Sequence, residues 1–480
     1  MVFSSLLFVF AFLTPQLILY FLIKNKTARN VILLVFSLVF YAFGGPKYLL
    51  LLLLESFVSF LAAREISNSQ FDQMKKRWLA LGIGTLLILL VVFKYLGFFL
   101  DNLHFLIRWP KEVPAIVLPI GISFYTFQLI SYQVDVYRGE VAYQPKYWKV
   151  LLYASLFHQC IAGPIVRYRT VSEEIEDRSV TVQDVMAGIR RFTVGLAKKA
   201  ILANGCAAVA DALLPAEKAA AASASGPALW LGMFAYMLQI YLDFSAYSDM
   251  AIGMGRMVGF HYLENFDYPY TASSVQQFWR KWHISLSTFF RDYVYIPLGG
   301  SKKGFFRTIL NLFIVWFLTG MWHGASWNFI LWGLYFFVFL VIERLFLGKL
   351  LEKNTVTKIL GHAYTLLAVF FGWVLFRFTD LGLIGEVLKG MFGGHAGANA
   401  LTASSQFVNN LFFLILAVVA VIPVGKHLHE ALTRAAEVSK NRVFVAVIRV
   451  GQAILPGILL ILSVLALIGD SYNPFLYFRF

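Results

Sequence analysis

The chain is 480 residues long, 59% hydrophobic, 17% aromatic and only 14% charged, where a soluble globular protein carries about 25% charged residues. This composition excludes a disordered chain, a disulfide scaffold and a nucleic-acid-binding domain, and leaves an all-α polytopic membrane protein. Its 41 Lys and Arg against 26 Asp and Glu give a net charge of +15, but the basic residues sit between apolar runs, which reads as positive-inside topology in a lipid bilayer.

A helix needs about 20 apolar residues to cross the hydrocarbon core. In chain order the candidates are 3–23, 31–43, 48–62, 79–100, 115–136, 192–214, 227–256, 310–343, 361–378, 408–425 and 444–468. That is about eleven membrane helices. The first run lacks a preceding basic segment and a following small-x-small site, and Lys24, Lys26 and Arg29 come after it. A retained helix is therefore expected there, not a cleaved signal peptide. No 20–50-residue period repeats and no Ser/Gly/Pro linker intervenes, so 1–480 is expected to be a single integral-membrane domain.

Basic clusters at 24–29, 64–77, 190–199, 302–307, 344–358 and 426–442 are expected on the cytosolic side. Between 77 and 190 this leaves two full spans, so 147–166, interrupted by His158, Gln159 and Gly163-Pro164, is expected to enter and return. After 444–468 the tail would lie outside. The run 310–343 is too long for one span. A hairpin bent near Gly320 and Gly324 would have arms of about 16 residues, roughly 24 Å each, and would leave Met321-Trp322-His323-Gly324 at membrane depth, where broken backbone must face protein or a water-filled cavity.

Ionisable groups in apolar surroundings are functional candidates. His323 suits proton transfer near pH 7; the alternative is a histidine satisfied by a backbone carbonyl at a helix break. The segment 276–300 is too polar to span lipid and too aromatic for an ordinary loop. It is either an interfacial amphipathic helix or the lining of a cavity faced by His283, Arg280, Lys281 and Asp292. Asp243 and Asp249, six residues apart, do not share a helix face, and ion pairing with Arg256, Arg280 or Arg291 is expected of them. Cys160 and Cys206 lack metal or redox spacing, so no metal site is expected.

Several strings occur in order along nearly the whole chain: the opening Met-Val-Phe-Ser-Ser, Gly121-Ile-Ser-Phe-Tyr-Thr-Phe-Gln128, Gln159-Cys-Ile-Ala-Gly-Pro-Ile-Val-Arg167, Asp243-Phe-Ser-Ala-Tyr-Ser-Asp-Met-Ala-Ile-Gly253, Glu264-Asn-Phe-Asp-Tyr-Pro-Tyr270, Phe278-Trp-Arg-Lys-Trp-His-Ile-Ser-Leu286 and Trp322-His-Gly-Ala-Ser-Trp327. Together they resemble the membrane-bound O-acyltransferase (MBOAT) family, in its bacterial alginate O-acetyltransferase-like branch. The resemblance implies a many-helix fold, with re-entrant segments, around a central funnel or tunnel, and a catalytic core at about 115–347. It also implies His323 as the principal catalytic residue and His283 as the second polar position, which is often Asn or His. Around them the pocket would draw on Arg280, Trp282, Asp292, Trp322, Gly324, Ser326, Asp243 and Asp249.

The implied reaction moves an acyl group from a thioester, with acetyl-CoA as co-substrate and no bound cofactor, to a hydroxyl. It would serve O-acetylation of an extracytoplasmic polysaccharide such as alginate or peptidoglycan, from a bacterial inner membrane. The tail Pro474-Phe-Leu-Tyr-Phe-Arg-Phe480 resembles the C-terminal motif of the small protein that accompanies the D-alanyl-transferring MBOAT, which implies Tyr477 as an acyl carrier; the alternative is an aromatic interface anchor. With no Ser-His-Asp domain of its own, the chain would need an SGNH-type partner outside the membrane. The competing functions are a transporter or flippase of polymer precursors, for which matched inverted repeats would be expected, and a non-catalytic scaffold.

Overall fold

The computed structural model describes every residue except 108–116, 162, 352, 394–396, 398, 470–474 and 477–480, with the side chains of 105–107 also outside the described set. Every regular element among the described residues is a helix. Tyr477 lies outside the described residues.

Among the described residues seven helices are long and apolar enough to cross a membrane: Asp72–Lys94, Val182–Leu213, Phe305–His323, Trp327–Leu351, Thr355–Arg377, Ala400–Ala420 and Arg442–Gly469. Other apolar runs form helices of a different kind. Leu7–Leu22 is shorter, and Ile122–Arg138 has 17 residues, with every one from Ile122 to Gln133 buried. A helix enclosed by protein can carry Gln128, Gln133 and Asp135 because none of them meets lipid. Gly226–Met257, 32 residues long, is likewise buried along most of its course.

The described residues form two compact units. One comprises 1–192, 250–264 and 285–298, and the other 193–249, 265–284 and 299–480. Neither is continuous in sequence, so no linker marks the division.

In the first unit the helices Pro46–Asn68, Asp72–Lys94 and Ile122–Arg138 pack together. Their buried polar groups pair across the bundle: Thr126 Oγ1 donates to Glu55 Oε2 at 2.7 Å and Gln133 Nε2 to Ser59 Oγ at 2.9 Å. The helix expected to enter and return, Tyr147–Ser155, has nine residues, about 14 Å, too short to cross. The irregular chain at 156–161 is buried, and some of its polar groups find partners there: Phe157 N–H donates to Ser37 Oγ at 3.1 Å, and Gln159 Nε2 to the Tyr153 carbonyl at 2.8 Å.

In the second unit, 310–343 is indeed a hairpin, but its arms are longer than the sequence suggested. The first, Phe305–His323, has 19 residues, about 28 Å; the second runs from Trp327 through a π-helical turn at Glu343–Leu347 to Leu351. The bend is confined to Gly324–Ser326, and Gly320 remains helical. Gly320 serves packing instead. A β-carbon at Gly333 would lie 2.3 Å from the Trp316 carbonyl oxygen and 3.1 Å from the Gly320 α-carbon, and one at Gly320 would lie 2.4 Å from the Phe329 oxygen. The two backbones touch through glycine.

The basic run 190–199 is not a cytosolic loop. It lies within the helical stretch Val182–Leu213, which passes through a π-helical turn at Lys198–Ala203. Lys199 is 2% exposed. Charge counting along a sequence cannot distinguish a solvated lysine from one that is paired and buried.

Candidate active site

His323 is the last residue of the first hairpin arm and is 5% exposed. Glycine follows it because a β-carbon at Gly324 would come within 2.4 Å of the Phe329 ring, which closes the bend. The imidazole meets Trp332 edge-on at 4.8 Å between ring centroids, Phe376 at 5.2 Å and its neighbour Trp322 at 5.0 Å. It lines a small cavity whose other walls are Trp332, Trp373 and Phe376 from the paired helices, Ile240, Asp243 and Phe244 from Gly226–Met257, Trp282, and Leu476 of the C-terminal tail. The space left is about that of one water molecule.

The segment 276–300 is neither a surface helix nor a continuous one. Helix Val275–Lys281 is capped by Glu343, whose carboxylate accepts from Val275 N–H at 2.6 Å and Gln276 N–H at 2.8 Å. A second short helix, Ile284–Phe290, follows. Between them His283 has φ of +46° and is 1% exposed. Asn265 fixes its ring: Asn265 Nδ2 donates to Ser248 Oγ at 3.1 Å, so Asn265 Oδ1 accepts from His283 Nδ1–H at 3.2 Å. In the neutral ring this leaves Nε2 unprotonated. Burial keeps the ring neutral, its pKa lowered to about 3. Trp322 bridges the two histidines, its ring 5.7 Å from that of His283.

The remaining expected residues separate into two groups. Trp282 and Asp243 line the cavity. Trp322 is buried beside it, and Ser326 heads the second hairpin arm. Arg280 is exposed and is not part of the lining, because its position on Val275–Lys281 is opposite the buried Phe278 and Trp279 face. Asp292 does not line the cavity either. It is the hub of a charged cluster, 2.7 Å from Arg167 Nη1 and 2.7 Å from Arg291 Nε. Burial works against its charge, but the hydrogen bonds from Arg291 and Arg167 prevail and hold its pKa below the usual carboxylate value.

Asp243 and Asp249 do form ion pairs, but with consecutive lysines of the π-helical turn and not with arginines. Lys199 Nζ lies 2.6 Å from Asp243 Oδ1, and Lys198 Nζ 2.6 Å from Asp249 Oδ2. Asp249 is outside the cavity lining.

Sequence reasoning did not single out Asn265, Lys199, Trp332, Trp373, Phe376 or Leu476. Asn265 was visible inside the Glu264–Tyr270 string. The aromatic walls carry no local signal, since Trp and Phe occur throughout this chain. Among the described residues no group of three His, Cys, Asp or Glu is placed to hold a metal ion.

Residues 137–384 match the sequence profile of the family described as "MBOAT, membrane-bound O-acyltransferase family". A Pseudomonas putida protein named "Probable alginate O-acetylase AlgI" is 36% identical, with 100% of each chain covered. A protein of the same name from Azotobacter vinelandii is 37% identical, again over 100% of both. The "Peptidoglycan O-acetyltransferase" of Helicobacter pylori is 34% identical over 86% of this chain and 84% of its own.

Proposed function

This chain belongs to the membrane-bound O-acyltransferase family, and from that premise we propose that it takes an acetyl group from acetyl-CoA at the cytosolic face and passes it outward for O-acetylation of an envelope polysaccharide. It is a multi-pass membrane acyltransferase that modifies envelope polymers. The observation that carries the finer reading is His323: an imidazole at a helix break, walled by aromatic rings, in a cavity that also holds a carboxylate and the chain's own tail.

His323 acts as the base. It takes the proton of the attacking hydroxyl as that oxygen bonds to the thioester carbonyl carbon. Collapse of the tetrahedral intermediate breaks the C–S bond, and the imidazolium returns the proton to the departing thiolate, so the ring ends neutral. The aromatic walls exclude water that would hydrolyse the thioester. Trp332 is the best-placed donor for the developing oxyanion, because its buried indole N–H has no acceptor among the described residues. Arg280, being exposed, is not in that role.

The first acceptor is the phenol of Tyr477. A phenol, whose ordinary pKa is about 10, makes a better leaving group than an alkyl alcohol, and Tyr477 follows directly on Leu476, a cavity residue. From the tail the group goes to an SGNH-type partner outside the membrane and then to a polymer such as alginate or peptidoglycan, in the cytoplasmic membrane of a bacterium.

The test uses the purified full chain and its His323→Ala variant, shown to be equally monodisperse, with radiolabelled acetyl-CoA. The wild type should consume thioester and retain label on the polypeptide, and His323→Ala should lose at least a hundredfold of both. Equal activity in the variant rejects the base. No consumption by either protein, even with the partner present, points to transport or scaffolding.

A further inference from the structure

We propose that the buried Lys199–Asp243 pair is a clamp that seats the C-terminal segment in the His323 cavity, making both side chains positioning residues for the tail. The docking stands on geometry; its catalytic consequence rests on the acyl-transfer reading above.

Asp243 divides its carboxylate between two partners. Oδ1 meets Lys199 Nζ at 2.6 Å, and Oδ2 accepts the main-chain N–H of Leu476 at 2.8 Å. Both charged side chains are 2% exposed. A buried ion pair is by itself weak evidence for stability, because desolvation offsets its attraction. This carboxylate, however, directs its second oxygen to a backbone donor 233 residues away. Lys199 also holds the neighbouring tail residue, its ammonium 4.8 Å from the centre of the Phe475 ring in cation–π contact. Tyr247, one turn along the helix from Asp243 and on the same face, meets Phe475 edge-on at 4.9 Å.

Phe475 and Leu476 are 1% and 8% exposed. Leu476 forms part of the wall facing His323, in a cavity with room for only about one water. The tail thus occupies space that would otherwise be open beside the imidazole. Main-chain recognition at Leu476 sets where the chain enters irrespective of side chain, and Tyr477 is the next residue.

The experiment digests detergent-purified full-length protein with a carboxypeptidase and follows C-terminal truncation by mass spectrometry. In parallel it measures acetyl label transferred from acetyl-CoA to the polypeptide. The variants are Asp243→Ala and the double variant Asp243→Leu with Lys199→Met, which remove the acceptor for Leu476 N–H, the latter leaving no unpaired buried charge should the single change fail to fold. The wild type should retain Phe475 and Leu476, whereas either variant should lose both residues at least tenfold faster and lose at least tenfold of the label. His323→Ala should lose the label yet retain both residues like the wild type, which separates anchoring from chemistry. Trimming at the wild-type rate in the folded variants overturns the clamp, whatever the labelling shows. Faster trimming in the variants, with no label ever reaching the wild-type chain, leaves the clamp standing and removes the tail-acylation reading.

Discussion

A φ of +46° at His283 places a non-glycine residue in the left-handed region, where Asn, Asp and His are tolerated and β-branched residues are not. The strain, about 1–3 kcal/mol for such positions, is stabilised from outside by the Asn265 hydrogen bonds to His283 and Ser248 and by the Phe244 ring edge-on at 4.7 Å. Backbone and chemistry can therefore be separated. His283→Gly and His283→Asn should be more stable than His283→Val by about 1–3 kcal/mol, measured by thermal unfolding in one detergent. All three should lose acetyl transfer if the unprotonated Nε2 takes part directly, whereas His283→Asn should retain most of it if the position only supports Trp322. His323 and His283 were legible because each lies in a specific string. Asn265 and Lys199 act through partners in other elements, His283 and Asp243, and no local pattern announces such a pairing.

The helical hairpin is the element on which His323 depends, and two glycines determine how closely its arms approach. Its existence followed from length alone, since 34 apolar residues in one helix would be roughly 50 Å long. The position of its bend did not, because glycine in a helix signals either a break or a close contact, and Gly320 proves to be the second kind. A methyl group at Gly333 would meet backbone at Trp316, which cannot swing aside as a side chain can. Gly333→Ala should therefore cost about 1–3 kcal/mol and reduce acetyl transfer by parting the arms around the His323 cavity. Gly451, with nothing within 4 Å of its added carbon, is the control; Gly451→Ala should be neutral or stabilising by up to about 1 kcal/mol. Thermal unfolding and acetyl-CoA consumption on both variants check this, and equal behaviour would refute the contact. The segment around His283 was ambiguous for a related reason. Its aromatic residues suit an interface as well as a buried core; Ser274 caps its first helix locally, accepting from Gln277 N–H at 3.0 Å, but Glu343, far along the chain, adds the acceptor at Val275 that draws it inward.

At the scale of the whole chain, hydropathy identified the membrane class but not the number of crossings. Apolar runs enclosed by protein, such as Ile122–Arg138 and Gly226–Met257, need not satisfy the length and composition that lipid demands. Lysines such as Lys199 also enter the charge count without being in a loop. Sidedness must therefore be argued from the basic clusters that remain exposed. Residues 64, 75–77, 302–307 and 426–442 are exposed for the most part, and the orientation proposed above rests on the positive-inside bias, by which each cluster would be cytosolic. In that orientation Thr355–Arg377 would lead outward and Ala400–Ala420 would return. Single cysteines test this with little background, since Cys160 and Cys206 are both buried. Gln70→Cys, Ser301→Cys and Asn441→Cys should react with a membrane-impermeant maleimide only after the membrane is opened, and Ser404→Cys should react in intact cells. Labelling of Ser301→Cys from outside would reverse the proposed orientation, and with it the direction in which His323 would have to receive its thioester.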